Sequence, residues 1–128
     1  MTKQIKDKRP RAAIAHVLLG VRDVPSAITF FSEIGLRPIV TRQNFAVMEL
    51  RGGTHLVLQA SRRKVRRGKA APFDLMFDDV AAMRRRCVKL GFKPSSLQRG
   101  RIHDAFTLTG PGGYRFTIFS SHASNHPV

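Results

Sequence analysis

Asp23-Val24-Pro25 opens a segment that closes on Gly35-Leu36-Arg37-Pro38, and the chain then repeats itself. Asp79-Val80-Ala81 opens a second segment that closes on Gly91-Phe92-Lys93-Pro94, with Asp and Gly each displaced by the same 56 positions. In both copies the glycine is followed by an apolar residue, a basic residue and a proline. Self-similarity at a fixed offset is the mark of a duplicated supersecondary unit. The domain is therefore expected to be two copies of one module, with a site between them.

Working outward from the first copy, Ala12 to Val21 is a near-continuous apolar run that reads as a buried strand. Asp23 suits a helix N-cap and Pro25 its first turn. Ala27, Phe30, Phe31 and Ile34 then form one apolar stripe, which Gly35 stops. Leu36 to Arg42 reads as a strand, and Phe45–Leu50 with Thr54–Ala60 as a hairpin around Arg51-Gly52-Gly53. The first module, 12–60, is thus β-α-β-β-β. A basic linker, 61–71, leads to a second module of the same order, 72–120. Its strands are expected at Pro72–Phe77, Lys93–Gln98, Ala105–Thr109 and Tyr114–Ser120. Its helix carries Val80, Met83, Cys87 and Leu90 on the apolar stripe. Residues 1–11 are expected to be a basic flexible tail, and 121–128 a polar one.

The 128 residues make one domain large enough for a real core. No apolar run approaches the ~18 to 20 residues that span a bilayer, so no membrane insertion is expected. A single cysteine excludes an internal disulfide framework, and the charged start of the chain points to a cytoplasmic protein. Charge is the unusual quantity: 23 Lys and Arg against 8 Asp and Glu leave a net charge of +15. Such a field attracts anions, whether nucleic acid, lipid or an acidic metabolite. The cations gather in the tail, in the linker (Arg62-Arg63-Lys64, Arg66-Arg67, Lys69) and in the helical trio Arg84-Arg85-Arg86. Nucleic acid is a candidate partner through the tail and linker. No aromatic residue interleaves the linker cations, which disfavours base stacking on a single strand.

The chain resembles the vicinal oxygen chelate superfamily, which includes glyoxalase I, extradiol dioxygenases and the bleomycin resistance proteins. The residues that carry the resemblance are His16 to Asp23, Phe30-Phe31 before Gly35-Leu36, Phe73 to Val80, Leu90-Gly91-Phe92, and Gly110 to Arg115. The resemblance implies an α+β fold whose two β-α-β-β-β modules form a curved, mostly antiparallel eight-stranded sheet with helices on its outer face. It also implies a ligand on the concave face and a homodimer. Active enzymes of the family commonly hold a divalent metal there. The first of their donor positions falls on His16. The equivalent in the second module is Pro72, the position on the last strand is Thr117 where the family usually has Glu, and its counterpart is Val57 or Gln59. Only His16 matches, so neither metal nor another cofactor is expected.

Strand alternation supplies the rest of the concave face. It points His16, Glu49, His55, Gln59, Asp74, Thr107, Arg115, Thr117 and Phe119 inward, alongside apolar neighbours. These are the candidate ligand-binding residues. A general acid or base role for Glu49 or Asp74 is weighed against pairing with an arginine, and pairing is preferred. His103 is read as a surface turn residue, and Cys87 as core. The function expected is metal-free binding of a small anionic or aromatic compound. The alternatives are a metal-dependent lyase, isomerase or dioxygenase with a rearranged site, and a polyanion- or nucleic-acid-binding accessory protein.

Overall fold

The computed structural model describes residues 6–121; the outer parts of both expected tails, with His122 and His126, lie outside the described residues. In the first module β1 (His16–Val21) is followed by α1 (Val24–Ile34), β2 (Arg37–Thr41), β3 (Phe45–Glu49) and β4 (His55–Ala60). The second has β5 (Leu75–Phe77), α2 (Val80–Lys89), β6 (Gln98–Arg99), β7 (Asp104–Thr109) and β8 (Arg115–Ser120). The eight strands hydrogen-bond as two four-stranded sheets, ordered β1-β4-β3-β2 and β5-β8-β7-β6. β1 with β4 and β5 with β8 pair in parallel, and the other pairs are antiparallel. The fold is α+β, built from the duplicated module.

The repeat is visible at the level of single hydrogen bonds. Asp23 Oδ1 accepts from the Ser26 amide at 3.1 Å, and Asp79 Oδ1 accepts from the Ala82 amide at 2.9 Å. Each carboxylate satisfies a backbone donor that a helix start leaves without a partner. At the other end, the Leu36 amide donates to the Phe31 carbonyl at 2.9 Å and the Phe92 amide to the Cys87 carbonyl at 3.0 Å. Both bonds close over a glycine with positive φ, Gly35 at 120° and Gly91 at 85°, a conformation that favours a residue without Cβ. The hairpins repeat as well. Leu50 N–H bonds the Thr54 carbonyl and Gly110 N–H the Tyr114 carbonyl, both at 2.8 Å, around one-turn 3-10 segments at Arg51–Gly53 and Pro111–Gly113.

Two strands of the second module differ from expectation. The strand expected over 72–77 is reduced to Leu75–Phe77. Ala70 pairs with Arg115 while Leu75 pairs with Ile118, so the intervening residues bow out of the ladder. Pro72 has no amide proton to give the ladder, and Phe73 instead packs against Phe116 with ring centroids 5.6 Å apart. The strand expected over 93–98 forms only at Gln98–Arg99. Ahead of it, Ser95 bonds Thr107 with its amide and its hydroxyl, at 3.0 and 2.8 Å. A side chain here replaces a ladder carbonyl.

One core serves both modules. Phe31, fully buried, meets Phe116 of β8 edge-on at 5.6 Å, and Phe30 lies 5.3 Å from Phe92 and 6.0 Å from Phe116. Leu19, Met48, Leu56 and Leu58 from the first sheet join Phe106, Leu108 and Ile118 from the second. No buried polar or charged residue interrupts this cluster among the described residues. It holds the helix-facing sides of the sheets together and leaves their other faces open.

Candidate functional site

The open face of the first sheet is built in rows, because residues paired across strands project to the same side. His16, His55, Glu49 and Arg37 are in register across all four strands. The next row is apolar: Leu18, Val57, Val47 and Val40. Gln59 follows, between Gly20 and Phe45. Their neighbours of opposite parity, Leu19, Met48, Leu56 and Leu58, are buried, so the alternation divides core from open face as expected. Leu18 is 59% exposed on that face, with no side chain covering it.

The polar row is linked through Glu49. Its carboxylate accepts from the Arg37 guanidinium, and His55 Nε2 lies 3.4 Å from its second oxygen. His55 in turn stacks against His16, with centroids 6.0 Å apart and planes inclined by 29°. The Arg37 hydrogen bond, helped by His55 and opposed by partial desolvation, holds the Glu49 carboxyl below its ordinary value. Glu49 is thus an anion engaged by a cation, which suits a structural carboxylate and not a general acid. Its partner is Arg37.

On the second sheet Thr107 stands opposite Thr117, and Arg115 opposite Thr109. Phe119 pairs with Met76 on one side and Ala105 on the other. His103 is a correction to the sequence reading. It is partly buried, its ring meets Phe119 at 5.3 Å, and its Nδ1 lies 2.6 Å from the Ser120 carbonyl. Extending the alternation of Thr107 and Ala105 back by one step would have found it. Asp74 lies in the bowed segment and not on the ladder; it lines a cleft instead.

That cleft has a volume of about 730 Å³ and lies between the modules. β1 and β5 are the end strands of their sheets. Ile14, Val17, Leu36 and Leu50 of the first module form one wall, and Phe73, Leu75 and Phe77 of the second form the other. Ile14 and Met76 are 65% and 49% exposed there. The polar lining comes from Thr54, Asp74 and Arg51, whose guanidinium pairs with Asp78 at 2.7 Å. Cavities of ~300 to 1,000 Å³ with apolar walls and a few polar groups are what small ligands occupy.

The donors of these two faces do not fit a divalent metal. His16 and His55 supply two imidazoles, but the adjacent carboxylate is held by Arg37, and the second sheet offers threonines and an arginine. Such an ion asks for several imidazole or carboxylate ligands free to coordinate. Among the described residues no group of three or more His, Cys, Asp or Glu side chains is arranged to hold one.

No family model matches the chain, and no curated protein matches it in sequence. Solved structures do match over nearly their whole length. A possible glyoxalase from Bacillus cereus is 26% identical, with a TM-score of 0.67 over 84% of this chain and 97% of that one. A bleomycin resistance determinant encoded on the transposon Tn5 is 18% identical, with a TM-score of 0.69 over 88% and 100%. TnmS3, an antibiotic binding protein from Streptomyces sp. CB03234, is 17% identical, with a TM-score of 0.73 over 85% and 95%. The duplicated β-α-β-β-β scaffold with an open sheet face defines the class: the chain has the fold of these proteins, that of the vicinal oxygen chelate superfamily. No helix among the described residues is long and apolar enough to cross a membrane.

Proposed function

We propose that the protein binds a small aromatic or anionic compound without a metal, and that the apolar part of the ligand lies in the cleft between the modules. The observation that carries this reading is the cleft itself, about 730 Å³ with walls of Val17, Leu36, Leu50, Phe73 and Phe77. The net charge of +15 draws anions toward the molecule. Arg51 stands at the cleft with a partner it can exchange. Its pair with Asp78 has both side chains about two-thirds exposed, and such surface pairs contribute only ~0 to 1 kcal/mol. The open faces bearing His16, His55 and Gln59, and Thr107, Thr117, Arg115 and Phe119, form the second surface of the site. A ligand or a second copy of the chain would cover Leu18 there. The antibiotic binding and bleomycin resistance proteins of like fold support binding as the activity.

Thermal-shift screening of aromatic carboxylates, followed by calorimetry with and without a chelator, tests this. Saturable binding unchanged by the chelator is expected. The proposal fails if no compound in the panel binds, or if binding requires an added divalent ion.

A further inference from the structure

The connector gathers six cations within eight residues and holds no acidic residue among them. Arg62, Arg63, Lys64, Arg66, Arg67 and Lys69 are all exposed. Carboxylates number only eight in the whole chain. Asp7, Glu49, Asp78 and Asp104 are committed to Arg9, Arg37, Arg51 and Arg99, and Asp23 and Asp79 to the two helix caps. No connector cation has an ion-pair partner among the described residues.

The connector is also a held structure. Gly68 N–H donates to the Gly113 carbonyl at 2.8 Å, and Arg115 N–H to the Lys69 carbonyl at 2.8 Å. Lys69 N–H turns back onto the Arg66 carbonyl at 2.9 Å. Gly113 lies so close that a Cβ on it would stand 3.4 Å from Arg67 Cα. Arg66, Arg67 and Lys69 are therefore presented from a turn pinned to the rim of β8. Pinning lowers the entropy lost when such side chains meet a partner.

We propose that this connector is a docking surface for the phosphate backbone of double-stranded nucleic acid. A duplex offers a phosphate charge about every 1.7 Å along its axis, a density that rewards clustered cations through counterion release. No aromatic side chain lies among these cations to stack an unpaired base, so the surface favours duplex over single strand. The proposal stands apart from the small-molecule site, since none of the six side chains lines the cleft.

The test uses the full chain and a 20-base-pair DNA duplex in fluorescence anisotropy across a salt series. Six phosphate contacts would give a slope of about −5 in log affinity against log salt. Replacing all six connector cations by Gln should lower affinity by at least about a hundredfold and flatten that slope. A charge-matched control replaces Arg22, Arg42, Arg85, Lys89, Lys93 and Arg101, which are equally exposed and lie elsewhere. It should retain most of the affinity and the slope. Equal losses in the two variants would overturn the proposal, because the field of the whole molecule would then suffice. Absent or salt-independent duplex binding, tighter binding to the single strand, or binding confined to anionic vesicles would overturn it too.

Discussion

His55 Nε2 stands 3.4 Å from the Glu49 carboxylate while the His55 ring stacks on His16, so one histidine joins the first and third strands of its sheet. The carboxylate at the centre of this row is held on its other side by Arg37. Glu49 has its folded-state pKa lowered, first by the Arg37 hydrogen bond. A lowered pKa contributes stability above the unfolded value, and that contribution is lost as pH falls through the folded value. E49Q should therefore unfold at a slightly lower temperature than the parent near neutral pH. The gap should close under acid conditions, below the ordinary carboxylate range. Paired thermal melts across pH check it; a gap that widens in acid would refute the assignment.

Gly110 is required for space, since its φ of −119° is ordinary. A Cβ there would lie 2.7 Å from the Phe116 ring and 2.9 Å from Phe30. Overpacking of this kind costs about 1 to 3 kcal/mol, and G110A should lose that much stability in urea unfolding. Adding F116L should restore part of it.

Phe31 belongs to the first module yet packs on Phe116 of the second. F31A should cost about 3 to 5 kcal/mol and still leave a single unfolding transition, because both modules lose the same core. Two transitions in calorimetry would show that the modules unfold separately.

Cys87 is fully buried, and burial pushes its thiol pKa up, with Arg86 and Arg84 opposing. A protonated, covered thiol reacts slowly. A thiol reagent should label the native protein at least about tenfold more slowly than the protein in denaturant.

Ligand binding in the cleft predicts a charge effect at Met76, which is half exposed at its wall. M76E should leave the melting temperature nearly unchanged and weaken an aromatic carboxylate by about tenfold or more, through repulsion and loss of apolar contact. Retained affinity would place the ligand elsewhere. H16A tests the open sheet face in the same assay.

The scaffold was readable because short-range chemistry determines it. Asp23 and Asp79 cap, Gly35 and Gly91 stop the helices, and alternation along β3, β4, β7 and β8 sorts core from open face. The second module departs where side chains compete with the backbone, at Pro72 and at Ser95. Spacing shows the same disturbance. The offset is 56 from Asp23 to Asp79 but 60 from Gly53 to Gly113, so four additional residues fall between α2 and the last hairpin. The site was less legible. Its open-face residues follow from parity, whereas the partner of Glu49, the contact of His103 and the walls of the cleft depend on pairings distant in sequence.

The shared aromatic core has a consequence for how the chain could be divided. Each module hydrogen-bonds its own four strands, yet Phe30 and Phe31 are covered only when Phe92 and Phe116 arrive. The connector between them adds only the partly buried Ala71 at the edge of that core. Cut there, the protein becomes two fragments, each with a complete sheet and an apolar side in need of the other. Produced as separate polypeptides, they should complement one another, turning an intramolecular seam into an affinity that can be measured.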